Sequence, residues 1–492
     1  MSGTESAAEA RTASGARRGR GAVAGGLTLL AAATWLASVP VAPFGVWYYH
    51  FAWAGTLAAL AGGLAWRTGR WPAGPRGALS LFFWSAPLWY LFEVLNFRLQ
   101  NWYYVFVPET TAVRWAGTSL AFTTVVPALY LAYLWCREAG LAETWRRPTF
   151  RVHGRHLAAS AAAGVGFVAL AAAWPEAFFP LVWGAVTLLL EPWNYARDPG
   201  ASLLGDLSRG RYARIVRLLA GGAFIGVLWE LYNSVAVARW IYTVPGLEEG
   251  KVFEMPVPGF LGFPVLALDA YVAYRALVSG GVAVPAWGEG DPPEAPPERD
   301  GNGAVEQRAT RPHRRRGATA PTGGPTDGRE GAGPGIRPVR VALAAAVAVT
   351  FCAAAQAGVD RWTVDSVRPA LADLPGVTSG AVARLEGAGI RRVADLARGD
   401  SADLARAAEL GMAGAGRAVR AAQLTTLRGM GAENAAALWS ADVRSVCDLA
   451  GTGEAEVVRE IRAVRDGPTA GKGARVRIWL RAAGERCGEG SD

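Results

Sequence analysis

Apolar runs of about 20 residues recur through the first 280 positions, each long enough to cross roughly 30 Å of hydrocarbon as a helix. They fall near 22–40, 46–66, 77–97, 115–135, 156–175, 178–193, 216–238 and 259–278. Aromatic clusters such as Trp47-Tyr48-Tyr49 and Trp102-Tyr103-Tyr104 mark their ends, the depth that amphipathic rings prefer. The pattern predicts an all-α protein: a short tail over 1–21, then a polytopic helical domain over 22–280 with eight spans.

Basic residues gather in every second loop. Arg17, Arg18 and Arg20 precede the first run, and Arg67, Arg70 and Arg76 lie between the second and third. Arg137, Arg146, Arg147, Arg151 and Arg155 separate the fourth from the fifth. Arg197, Arg209, Arg211, Arg214 and Arg217 separate the sixth from the seventh. By the positive-inside tendency these loops and the N-terminus face the cytoplasm, which places the chain in a bacterial inner membrane. The first run also has the layout of a signal peptide, basic residues before an apolar stretch. A repeat favours keeping it as a span.

Glu93-Val94-Leu95-Asn96 recurs as Glu230-Leu231-Tyr232-Asn233, Trp102-Tyr103-Tyr104 is echoed by Trp240-Ile241-Tyr242, and Pro127 matches Pro264. Two parallel four-helix repeats follow from this spacing, and binding sites often form between such halves.

Ionisable residues inside a span are costly, about 2.5–3.5 kcal/mol even on lenient insertion scales. Glu93 and Glu230 each share a helical face with an amide, Asn96 and Asn233. Glu254 precedes the last helix of the second half, and Asp269 lies near mid-span where the first half has Ala132. The acidic excess makes Glu230, Glu254 and Asp269 the catalytic candidates. Glu93, Asn96, Trp102, Asn233, Trp240 and Tyr242 are the ligand-binding candidates. The competing reading of the Glu–Asn pairs is a hydrogen-bond clamp joining the two halves. Glu191-Pro192-Trp193-Asn194 reads as an end-of-helix feature, and Asp198 and Asp206 as a solvated loop. His50, His153, His156 and His313 are too scattered for a metal set, and no cofactor motif is present.

An acidic helix, an aromatic W-x-Y and a Pro/Glu loop opening another helix, repeated twice over about 46–278, resemble lycopene cyclase-type membrane proteins. Those proteins carry a Pro-x-Glu-Glu-like element, for which Glu254-Met255-Pro256 is a partial, reordered match. The resemblance implies an isomerase that begins by protonating a polyene, with Glu230 or Glu254 as the acid and rings such as Trp240 facing a carbocation.

Composition changes sharply after position 280. Residues 281–338 are rich in Pro, Gly, Glu and Arg, without apolar periodicity, and read as a disordered linker. An Ala/Val-rich run over 339–358 reads as a ninth span, which would place the C-terminal domain outside the cytoplasm. Over 370–486 a second repeat appears: Leu374-Pro375-Gly376-Val377 aligns with Leu427-Arg428-Gly429-Met430, and Leu396 with Leu449. It resembles the tandem helix-hairpin-helix domain of a bacterial class of unknown function. In that wider family a Gly-hydrophobic-Gly hairpin, here Gly429-Met430-Gly431, offers backbone N–H groups to a phosphate.

The formal charge of +9 comes mainly from short loops beside apolar runs. Acids and bases nearly balance in the C-terminal domain, which speaks for a protein partner and against nucleic acid. Cys447 and Cys487 can pair only in an oxidising compartment. Three function classes follow: binding or conversion of a lipophilic, isoprenoid- or carotenoid-like molecule between the halves, a non-catalytic scaffold recruiting a protein through 370–486, and a transporter. Acids are missing from the cytoplasmic half of the spans, which argues against a continuous proton path.

Overall fold

The computed structural model describes residues 3–38, 44–247, 250–287 and 338–488. Most of the expected linker, 288–337, lies outside the described residues. Helices dominate, and seven segments among the described residues are long and apolar enough to cross a membrane: Thr12–Ser38, Pro75–Leu99, Thr111–Glu138, Gly154–Ala173, Ala213–Val235, Val257–Ser279 and Pro338–Trp362. The chain is therefore a multi-pass membrane protein.

Helices α1 (Gly3–Ser38) and α2 (Phe44–Thr68) form a hairpin whose backbones nearly touch at glycines. A Cβ on Gly55 would lie 2.6 Å from the Gly26 carbonyl oxygen, so neither position tolerates a side chain. Helix α3 (Pro75–Leu99) starts with proline, whose missing N–H costs nothing there. It ends where Gln100 turns left-handed at φ 55° and donates its N–H to the Asn96 carbonyl. Strand β1 (Trp102–Val105) follows.

The fourth span is two helices, α4 (Thr111–Phe122) and α5 (Val125–Glu138), broken at Thr123–Thr124. Breaks at this depth need local partners for the freed backbone groups. Ser85 on α3 supplies both: its hydroxyl donates to the Phe122 carbonyl at 2.6 Å and accepts from the Val126 N–H at 3.0 Å.

Helix α6 (Gly154–Ala173) is continuous, but the expected span at 178–193 is not. Pro175 opens a single turn, α7 (Pro175–Phe178), a 3₁₀ turn runs over Phe179–Val182, and Gly184 adopts φ 88°. Only then does α8 (Ala185–Arg197) begin. Its 13 residues reach about 20 Å, short of the hydrocarbon thickness. Two prolines and a left-handed glycine thus override an apolar run. After α9 (Leu203–Ser208), helix α10 (Ala213–Val235) leads into strand β2 (Arg239–Tyr242). A small β3–β4 hairpin (Lys251–Val252, Met255–Pro256) precedes α11 (Gly262–Ser279).

The expected linker start at 281 needs moving. Residues 281–287 pack onto the helices: Trp287 is fully buried against Tyr130, Tyr133 and Tyr271, and Ser80 bonds the Val284 N–H at 3.0 Å.

Helix α12 (Pro338–Trp362) packs on α3 and α4. Tyr90 donates to Gln356 at 2.7 Å, and Asp360 receives Arg114 at 2.8 Å and the Trp115 indole at 2.8 Å. Its C-terminal end continues as an extended segment beside β1, with Tyr104 N–H donating to Thr363 O and Arg368 N–H to Val107 O. The domain beyond α12 therefore sits on the same side of the helices as β1 and β2. Its described residues form eight α-helices, α13 (Ser379–Gly387), α14 (Val393–Arg398), α15 (Ser401–Ala407) and α16 (Met412–Thr425), then α17 (Gly431–Ser440), α18 (Val446–Ala450), α19 (Glu454–Val464) and α20 (Gly473–Gly488). Each group of four closes around its own apolar core, and a Cys447–Cys487 disulfide ties α18 to α20.

Candidate functional site

Glu93 and Asn96 sit at the end of α3 and are fully buried. They do not bond each other. Asn96 reaches forward, donating to Trp102 O at 2.9 Å and accepting the Asn101 N–H at 2.8 Å. Glu93 Oε1 accepts from the Trp89 indole at 3.0 Å, the Trp102 indole at 3.1 Å and the Tyr104 hydroxyl at 2.6 Å.

The same wiring stands at the end of α10. Asn233 donates to Trp240 O at 2.9 Å and accepts the Trp240 N–H at 3.0 Å. Glu230 Oε1 accepts from the Tyr242 hydroxyl at 2.9 Å. Its Oε2 is buried without a hydrogen-bond partner among the described residues. Each pair thus pins the strand of its own half, rather than clamping one half to the other.

The strands themselves make the cross-connection. β1 and β2 are antiparallel, with Trp102 opposite Tyr242, Tyr103 opposite Ile241 and Tyr104 opposite Trp240. Matching Trp102 with Trp240 and Tyr104 with Tyr242, a half-turn about Tyr103/Ile241 maps this register onto itself.

Beneath the strand pair lies a cavity of about 520 Å³, lined by Trp47, His50, Trp89, Trp102, Tyr104, Trp183, Trp229, Trp240, Tyr242 and Phe263, among others. Its walls are mainly apolar, and its size lies within the usual range for small-molecule sites. Trp183 stacks on Phe92 at 5.3 Å and on Trp102 at 6.4 Å, and Trp229 meets Trp89 at 5.9 Å. Both glutamates stand one side chain behind this wall, reaching it through Tyr104 and Tyr242. Burial, and then the neighbouring carboxylate, push both phenols well above the ordinary tyrosine range, so they stay protonated donors.

Two of the three acids singled out from the sequence are engaged elsewhere. Glu254 is held by the Arg428 guanidinium of the C-terminal domain, with Arg239 at 3.7 Å. Asp269 caps α8 from outside: it accepts the Gly184 N–H at 2.8 Å, the Thr187 N–H at 2.8 Å and the Thr187 hydroxyl at 2.6 Å. A helix that begins at bilayer depth needs such an acceptor for its free N–H groups. Neither acid lines the central cavity.

Sequence reasoning missed His50, Trp89, Trp183 and Trp229. Trp89 carries a signal, lying four residues before Glu93 on the same helical face. Trp183 carries none, because only the broken backbone at Gly184 brings it inward.

The Gly429-Met430-Gly431 hairpin is also occupied. Gly429 and Gly431 have φ 76° and 73°, and Met430 is fully buried. A Cβ on Gly429 would meet the Tyr103 hydroxyl at 2.8 Å and Ile241 at 3.1 Å, so the turn rests on the strand pair. Arg475 lies 4.3 Å over the Tyr103 ring and pairs with the buried Asp365 at 2.5 Å. Among the described residues no group of three His, Cys, Asp or Glu side chains is placed to hold a metal ion. Comparison with protein-family models, with characterised proteins and with solved structures gives no match for this chain.

Proposed function

We propose that the membrane domain is two copies of one four-helix unit and that the aromatic cavity between them binds a lipophilic, isoprenoid-like molecule. The observation that carries this reading is the paired wiring: Glu–Tyr and Asn–Trp bonds recur at both strands, around a cavity floored by tryptophan. In the lycopene cyclase-like version, an alkene of the ligand takes a proton from the Glu230–Tyr242 pair. The π faces of Trp102, Trp229 and Trp240 stabilise the resulting cation. The pair then takes back a proton from a neighbouring carbon, so the net reaction is an isomerisation.

Glu254 and Asp269 have no part in that scheme. Expression in a lycopene-accumulating host, followed by pigment analysis, tests it. Cyclised pigment that disappears with Glu230→Gln supports conversion; unchanged lycopene beside well-inserted protein removes it. Saturable quenching of tryptophan fluorescence by retinol tests binding alone.

The second reading is a scaffold, favoured by the C-terminal domain's grip on the strands. Its tandem repeat supports the helix-hairpin-helix resemblance, yet the hairpin that would meet a phosphate is spent on Tyr103 and Ile241. A protein-contact role for 370–486 fits this better than nucleic acid. On the scaffold reading Glu230→Gln and Asp269→Asn change only folding or assembly. The Cys447–Cys487 pairing and the basic loops together support a cytoplasmic N-terminus and an extracytoplasmic C-terminal domain.

A further inference from the structure

A second cavity, about 480 Å³, lies between α2, α3 and the broken α4–α5 span. Its shape follows from its lining. Tyr49, Trp53, Leu57 and Ala61 form a single i, i+4 ladder down α2, a rise of about 18 Å along the helix. The floor is Trp71 and Pro72 in the loop after α2. The break at Thr123–Thr124 opens the facing side, where Leu120 and Phe82 are 56% and 37% exposed. The result is a long, narrow, apolar slot running with the span and open to the flank of the helix bundle.

This slot and the central cavity share Tyr49, His50 and Ala121 in their walls. His50 is the polar group at that junction. Its Nε2 is bonded to the Gly117 carbonyl at 2.8 Å, while Nδ1 is buried with no hydrogen-bond partner among the described residues. A buried ring nitrogen without a partner is costly, and a ligand hydroxyl passing the junction would satisfy it.

We infer that the two cavities are arms of one bent site, which takes a single long hydrocarbon chain bearing a compact polar group. The chain enters from the bilayer through the slot, turns at His50 and Ala121, and presents its far end to the aromatic cavity. This rests on the proposed lipophilic-ligand reading and narrows it to long single-chain molecules. The chain can be methyl-branched, as in isoprenoids, or straight, as in fatty alcohols; both share the chemistry the slot selects.

The test uses the full chain in detergent, with retinol quenching the cavity tryptophans as the probe and geraniol, geranylgeraniol and hexadecanol as competitors. In the unaltered protein geranylgeraniol should displace retinol at a concentration at least roughly tenfold below geraniol. Ala121→Trp closes the junction and should shrink that ratio to about twofold or less, with retinol quenching also weakened. Leu131 lies in the slot wall away from the junction. Leu131→Trp fills the slot there and should also lower the ratio, with retinol quenching retained, which guards against a folding defect in the first variant. An unchanged ratio in both variants, with retinol still binding, overturns the two-arm site and leaves the ligand reading standing. Absence of any saturable quenching overturns the ligand reading itself. Stronger competition by geranylgeraniol than by hexadecanol assigns the branched source, and the reverse order assigns the straight one.

Discussion

Glu93 and Glu230 occupy matching positions in the two halves, yet their surroundings differ in one respect that matters. Glu93 is saturated: two indoles and one phenol converge on its carboxylate. Glu230 has one phenol, and its second oxygen is bare. The Trp240 indole lies toward it without closing a hydrogen bond. A buried carboxylate whose two oxygens both receive donors, as Glu93 does through the forked Trp102 indole, holds a structure together, whereas one with an open oxygen has capacity for a ligand or a transferable proton. On the proposed reading, similar wiring at the two strands leaves Glu93 to hold structure and Glu230 with an oxygen open to a ligand.

Leucine at each site measures that difference. Glu93→Leu strands three buried donors and should cost about 4 kcal/mol, enough to prevent accumulation of folded protein. Glu230→Leu strands one and should cost about 1–2 kcal/mol. Thermal denaturation in detergent, followed by tryptophan fluorescence, reads both. Equal losses would erase the distinction between the halves. The asparagines provide the control. Asn233→Ala frees the Trp240 carbonyl and N–H. Asn96→Ala frees the Trp102 carbonyl, the Asn101 N–H and the weaker, longer Trp102 N–H contact. Both should therefore lose about 2–3 kcal/mol, and a difference well beyond that one weak contact would undo the match between strands.

Removing a phenol oxygen is gentler and more discriminating. Tyr104→Phe and Tyr242→Phe should each cost about 1 kcal/mol of stability. Only Tyr242→Phe should weaken retinol quenching, by roughly tenfold, because it alone exposes the bare carboxylate to the cavity. Comparable quenching in the two variants would place the ligand on the symmetry axis with no preference for the second half.

Much of this was readable from the chain. The long apolar runs at α3, α10 and α11 and the repeat of Glu-x-x-Asn before W-x-Y located both glutamates and the aromatic segments, but not the pairing of those segments as strands. What the chain does not show is which partners Asp269 and Glu254 take up. Asp269 answers to α8, whose free N–H groups arise only because Pro180 and Gly184 delay the helix to Ala185. No periodicity reveals that need. Glu254 answers to Arg428, far away in sequence and in a separate domain. Local patterns register neither relation, since both are fixed by packing between elements.

The C-terminal domain grips the two halves differently as well, through Arg428 on Glu254 of the second and through Lys472 on Gln100 of the first. Burial, reinforced by the Arg475 guanidinium, lowers the Lys472 ammonium to about 8. Undocking hydrates the amine and moves it back toward the ordinary lysine value of about 10.4, short of it because Arg475 stays beside it in the same domain. Between these values the docked protein binds fewer protons than the undocked one, so docking strengthens as pH rises from about 8. The burial-raised Tyr103 phenol opposes this above about 10, where an exposed tyrosine would ionise. The net expectation is a small gain confined to about pH 8–10, read as slower proteolytic release of the domain. Lys472→Met should flatten that slope while leaving the Arg428–Glu254 contact in place. A slope that survives the substitution would shift the pH response to the second half's contacts and reverse which half the domain senses.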